Sequence, residues 1–162
     1  VRIALIYEGT NGVQGLDLVG RKLAAGGGRG VMSFFAELDA FVAAETGEGM
    51  KPFTDGLARA KGEVQEATMW VMQNGLANPD NAGAASTDYL HLFGLTALAY
   101  MWALMPKAAL ARIAGGHADP FYETKLTIGR YYVERVLPET ASRLAKLKAG
   151  SDLLMKLPAE AF

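Results

Sequence analysis

Tyr89-Leu90-His91-Leu92-Phe93-Gly94-Leu95-Thr96-Ala97-Leu98-Ala99-Tyr100-Met101-Trp102-Ala103-Leu104-Met105 runs for 17 residues without an Asp, Glu, Lys or Arg. That length stands at the edge of a membrane span. Asp88 and His91 mark one end, Gly94 and Thr96 interrupt it, and amphipathic segments flank it on both sides. The pattern therefore predicts the central helix of a bundle, from about Ala82 to Leu104 and buried all round, rather than a membrane segment. Pro106 removes a donor and crowds the preceding turn, so it is expected to end or kink this helix, with a continuation from Lys107 to Ala114 stopping at Gly115-Gly116.

Upstream, a helix beginning after Pro52 and reaching Ala77 carries Leu57, Ala60, Val64, Ala67 and Val71 at heptad-like spacing. Asp55, Arg59, Lys61, Glu63 and Glu66 take its wet side. Asn78-Pro79-Asp80-Asn81 is a turn cluster that lacks the order of a calcium-binding EF-hand loop. A helix from about Val31 to Thr46 repeats Val31, Phe34, Phe35, Leu38, Phe41 and Val42 on a core face. Gly26-Gly27-Gly28-Arg29-Gly30 precedes it. No strand leads into these glycines and no phosphate-loop spacing follows, so they predict a flexible connector. Asn11 fits an N-cap with Gln14 at the capping-box position, opening a helix to about Ala25 with Val13, Leu16, Val19, Gly20 and Leu23 as its apolar stripe.

Downstream, Asp119-Pro120 supplies an N-cap and a first-turn proline, and Tyr122, Leu126, Gly129, Val133, Val136 and Leu144 continue a buried face. Pro138 predicts a bend near Glu134, Arg143, Lys146 and Lys148 close the helix ahead of Gly150, and Ser151 is expected to cap a last short turn before Pro158. No period-two alternation appears. The chain reads as all-α: an antiparallel up-and-down bundle of four long helices with a short N-terminal helix.

A chain of 162 residues that is 51% hydrophobic can bury a core without disulfides or metal. Sixteen basic against 17 acidic residues leave a net charge of −1, which argues against nucleic acid or an anionic membrane as partner. The absence of cysteine excludes disulfide and cysteine-ligated metal sites and fits a cytoplasmic location. The opening residues show no signal-peptide pattern, and a motif already under way at Val1 suggests further chain upstream.

Few residues look reactive. His91 and His117 lack partners at metal-ligand spacing, so no metal site is expected; His91 reads as a satisfied core or boundary residue and His117 as a solvated loop residue. Met69, Trp70, Met72, Met101, Trp102 and Met105 read as core filling. Glu8 remains, between the apolar Ile3 to Tyr7 and a glycine-flanked turn. Its residues allow two readings: an exposed helix corner, or an acid or base aimed at a ligand.

Ile6-Tyr7-Glu8-Gly9-Thr10-Asn11-Gly12-Val13-Gln14 with Leu16-Asp17-Leu18-Val19-Gly20-Arg21-Lys22-Leu23 resembles the C-terminal signature of flavin-dependent acyl-CoA dehydrogenases. Asp88 to Gly94, Phe121 to Leu126 and Leu157 to Phe162 resemble the helical domain appended to a bacterial branch of that family. The resemblance implies two parts. Residues 1–28 would end the catalytic bundle, and residues 29–162 would form the appended domain. It implies Glu8 as the base that takes the α-proton of an acyl-CoA thioester, Gly9 as the residue that lets substrate approach, and Thr10, Asn11 and Gly12 as contacts to FAD. Relatives of the medium-chain type often carry a longer polar residue where Gly12 stands. The implied partners are an acyl-CoA of the kind handled in fatty-acid β-oxidation, an electron-transfer flavoprotein as acceptor, and a second subunit in a homodimer. The stretch by itself is expected to be inactive and to retain no FAD. The alternative is a non-catalytic bundle for self-association or for covering a catalytic core.

Overall fold

The computed structural model describes residues 10–161. Among the described residues six α-helices follow one another: α1 (Thr10–Asp17), α2 (Arg29–Ala44), α3 (Lys51–Ala77), α4 (Pro79–Ala114), α5 (Pro120–Tyr131) and α6 (Glu139–Lys148). Single π-helical turns at Leu18–Lys22 and Tyr132–Val136 extend α1 and join α5 to α6. There is no strand among the described residues. The all-α expectation holds, with α5 and α6 forming the fourth long rod in two segments.

The predicted seam of α3 is the spine of the core. Leu57, Ala60, Val64, Ala67 and Val71 are all buried, and α3 packs along α4. Phe35, Leu38 and Phe41 of α2 close over one side of this pair. Burying such side chains is worth roughly 1.5–3 kcal/mol each for the large ones, which outweighs the weak helix propensity of the Gly and Thr residues between them. Asn78 caps α4 by accepting the Asp80 N–H at 3.0 Å, and Asp119 caps α5 through the Phe121 N–H at 2.9 Å, each followed by proline in the first turn.

Helix α4 departs from expectation in two ways. It starts at Pro79 rather than near Ala82; at Pro106 it does not end, and it runs on to Ala114 as the expected continuation has it. The Pro106 ring is buried in the core, where its packing compensates for the missing backbone hydrogen bond. It is also not buried all round: Leu98 and Met101 are about half exposed, at 52% and 45%. By length and composition α4 could cross a membrane, with only 33% of its most apolar window buried. Yet α1, α3, α5 and α6 all pack on it, which is the role of a bundle's central helix.

The N-terminal segment is corrected more strongly. Helix α1 is described from Thr10 onward, so Asn11 is already helical and is not the cap. Val13 and Leu16 are exposed at 63% and 53%, and the inward line is Gly15, Val19 and Leu23. Gly15 explains the rotation. It presses on the backbone of α4, where a Cβ would lie 3.0 Å from the Ser86 carbonyl oxygen, so the helix seats on its smallest residue. Gly26, Gly27 and Gly28 form a left-handed turn, with φ of +59°, +70° and +78°, rather than a loose connector, and α2 starts immediately at Arg29. The Arg29 side chain braces this turn by donating to the Gly26 carbonyl at 3.2 Å.

At the other end, where the sequence predicts a bend near Glu134, a π turn at Tyr132–Val136 interrupts the helix ahead of Pro138. Ser151 is not a simple cap: its hydroxyl and its N–H both donate to Asn81 Oδ1, at 2.8 and 2.9 Å, pinning the chain end to the α3–α4 corner.

Candidate functional site

The first turn of α1 gathers Thr10, Asn11 and Gly12, all exposed. Glu8 and Gly9 lie outside the described residues. The leading amides of a helix have no intrahelical acceptor, and their aligned dipoles favour an anionic group in front of them. No acidic side chain occupies this turn. Around a Cβ placed on Gly12 there is nothing within 4 Å, so a ligand can approach the backbone there. A hydroxyl, a carboxamide and an open glycine at a helix start are compatible with the phosphate-bearing cofactor that the resemblance implies.

Several contacts hold this turn in place. Gly15 locks α1 onto Ser86, and the π turn that follows packs Val19 and Leu23 into the core. Asp17 accepts two hydrogen bonds from Arg21, at 2.6 and 2.9 Å, and pairs with Lys22 at 3.1 Å. Those bonds, Arg21 foremost, hold its carboxyl below the usual carboxylate range. A small apolar cleft of about 160 Å³ opens behind the π turn, between Gly20 and Ala24 on one wall and Val71, Met72, Gly75 and Leu76 on the other. Val13 and Leu16 on α1 and Leu76 beside the cleft are exposed apolar side chains at this end of the bundle.

The other candidates separate. His91 is exposed on α4 rather than in the core, and exposed His117 sits 6.4 Å, ring to ring, from Tyr122. Among the described residues no group of three or more metal-ligating side chains forms. Trp102 packs on Tyr132, and Trp70 borders the core. Met69, Met72 and Met101 are exposed, which corrects the reading of all six as core filling.

Sequence patterns also missed polar links between distant elements. Arg143 of α6 donates to Asp88 of α4 at 2.9 Å and to Glu139 at 2.6 and 2.8 Å, and these bonds raise its pKa. Lys61 of α3 pairs with Asp39 of α2, and Lys148 of α6 with Glu66 of α3 at 2.5 Å. Opposite charges at 55 or 82 residues' separation leave no local signal.

Residues 34–158 match the family described as "Acetyl-CoA dehydrogenase C-terminal like". The chain is also similar to a 3-methylmercaptopropionyl-CoA dehydrogenase of Ruegeria pomeroyi (strain ATCC 700808 / DSM 15171 / DSS-3), at 29% identity over 157 residues. That alignment covers 95% of this chain and 26% of the relative, so the chain spans about a quarter of that relative's length.

Proposed function

The chain belongs to the acetyl-CoA dehydrogenase C-terminal-like family, and from that premise we propose that it is the C-terminal part of an FAD-dependent acyl-CoA dehydrogenase. In this reading residues 1–28 end the catalytic bundle and residues 29–162 form an appended helical domain. The observation that carries the proposal is the Tyr7-Glu8-Gly9-Thr10 motif leading into the exposed first turn of α1, in a chain of this family.

The reaction introduces a double bond between Cα and Cβ of an acyl-CoA thioester. Glu8 takes the α-proton onto its carboxylate. FAD, when bound, accepts the β-hydrogen as hydride, so the two C–H bonds broken supply the new C=C bond and two electrons. The α-proton is too weakly acidic for a carboxylate in water. In this reading a hydrogen-bond donor must meet the thioester oxygen as negative charge builds there, the role the resemblance gives to the Glu8 backbone N–H. Gly9 leaves room for the thioester. Thr10, Asn11 and Gly12 would hold the cofactor's edge, using the open first turn of α1.

Support for a larger body comes from the exposed apolar residues Val13, Leu16 and Leu76 at the α1 end of the bundle. They suit burial against the rest of the enzyme. In the whole protein we place an electron-transfer flavoprotein as acceptor, a homodimeric assembly and a cytoplasmic location. The acyl group is a medium or long chain or a methylthio-substituted propionyl, the last as the name of the Ruegeria relative suggests. The 162-residue stretch alone is inactive and colourless.

In the full-length enzyme, Glu8→Gln will bind acyl-CoA with little change and slow anaerobic flavin reduction by at least about a hundredfold, the usual weight of a positioned base. Near-normal reduction would remove Glu8 from the role. A yellow, active preparation of the 162-residue chain would refute the division of labour. The reading of the bundle as a self-associating module draws on half-exposed Leu98 and Met101, and a strict monomer at high concentration in sedimentation equilibrium would remove it.

A further inference from the structure

Where α5 lies along the end of α4, a groove of about 500 Å³ opens, lined chiefly by Met105, Ala108 and Arg112 of α4 and Phe121, Tyr122 and Lys125 of α5. It is of ligand size. Its walls are apolar and aromatic, and its charges are both positive. Neither Arg112 nor Lys125 has a carboxylate partner among the described residues. The Lys125 ammonium instead lies over two rings, 5.1 Å from the centre of Phe121 and 5.9 Å from that of Trp102. A cation over ring faces keeps N–H donors free for an anion. Asp119, at the start of α5, has its Oδ1 committed to capping the Phe121 N–H, and neither it nor Glu123 lines the groove.

From Met105 to Arg112 the helix rises about 10 Å, so the groove offers an apolar and aromatic length beside which two cations stand without carboxylate partners. We infer that it binds a free anionic amphiphile, a single alkyl chain with a carboxylate head. The chain lies along the wall of Met105, Ala108 and Phe121, and Arg112 and Lys125 are the two cations available to the head. Met105 is suited to such a wall because its unbranched thioether adapts to chains of different length. Phe121, 55% exposed in the free protein, is the side chain that such a chain would cover. This site is separate from the motif on α1, and the inference stands whether or not Glu8 is a catalytic base.

Calorimetric titration of the whole chain with decanoate, and with decanol as its uncharged counterpart, tests the inference. Decanoate is expected to saturate one site, and in a Trp70→Phe background the remaining Trp102 fluorescence should change with the same affinity. Arg112→Ala and Lys125→Ala, at positions outside the core, should each weaken decanoate about tenfold and leave decanol unchanged. Ala108→Trp, which fills the groove from an exposed position, should abolish both. Absence of saturable decanoate binding, equal effects of the charge variants on decanoate and decanol, or full binding in Ala108→Trp would overturn the site. Cosedimentation with phosphatidylglycerol vesicles in the absence of decanoate binding would likewise overturn it, in favour of a lipid surface.

Discussion

The phenolic oxygen of Tyr89 on α4 stands 2.8 Å from the hydroxyl of Thr68 on α3, with both side chains buried. Thr68 also donates to the Val64 carbonyl at 2.7 Å. Its one hydrogen is thereby used, so Tyr89 is the donor between the two helices. The consequences of removing either partner are unequal. Tyr89→Phe leaves Thr68 bonded to Val64 and should cost about 1 kcal/mol. Thr68→Val strands a buried phenol and should cost roughly 2–3 kcal/mol. The double variant should be less destabilised than the sum of the singles, because no orphaned donor remains. Urea denaturation of the four proteins measures this, and strict additivity would show that the pair does not couple.

Burial pushes the Tyr89 pKa up to about 12, and burial does the same to Tyr132. The folded state therefore holds these protons after the unfolded chain has released them. Their contribution is fully present below about pH 10 and is lost as the pH rises toward about 12. Stability should fall across that interval, and for fully buried Tyr89 the loss is on the order of 2–3 kcal/mol. Urea midpoints measured through the alkaline range should decline less steeply for Tyr89→Phe than for the wild type. Identical slopes would mean that the phenol is not desolvated.

Periodicity made the bundle legible because α3 obeys it residue by residue: its predicted seam is the buried line of the structure. The caps at Asn78 and Asp119 and the interruption before Pro138 follow equally local rules. What was not legible depended on distance. Pro106 reads as a helix end until its ring is placed against α5, and Val13 and Leu16 read as core until Gly15 is seen against Ser86. Periodicity assigns a helix an apolar side but not the angle at which it seats, and a π turn shifts that angle further. At the candidate site, Glu8 and Gly9 were marked by resemblance and lie outside the described residues, while Thr10 to Gly12 fall in an exposed first turn. The groove at Arg112 and Lys125 gave no signal, since its walls come from two helices separated by a glycine turn.

Two glycines of α3 should respond to alanine with opposite sign. A Cβ at Gly56 would stand 2.5 Å from Val133 Cγ1, so Gly56→Ala must push the π turn outward and should destabilise by about 1–3 kcal/mol. At exposed Gly62 a Cβ meets nothing within 4 Å, and Gly62→Ala should stabilise by about 0.5–1 kcal/mol through backbone entropy alone. Thermal melts of the two variants separate packing from propensity. Loss of stability in both would mean that α3 is more crowded at Gly62 than its surroundings indicate.

Gly129 tests why α4 can carry a proline in its interior. With no N–H on Pro106, the Trp102 carbonyl has lost its donor one turn on, and Gly129 of α5 lies against that same carbonyl, 3.5 Å from where a Cβ would be. That Cβ would also lie 3.0 Å from Pro106 Cγ and from Phe53 Cε1. Gly129→Ala should therefore cost roughly 1–3 kcal/mol by separating α5 from α4. Removing the ring with Pro106→Ala relieves one of the two clashes. The double variant should then be less destabilised than the summed singles by more than the ~0.5 kcal/mol within which independent sites add. Additive costs would place the strain at Phe53 alone and leave the proline without a part in seating α5.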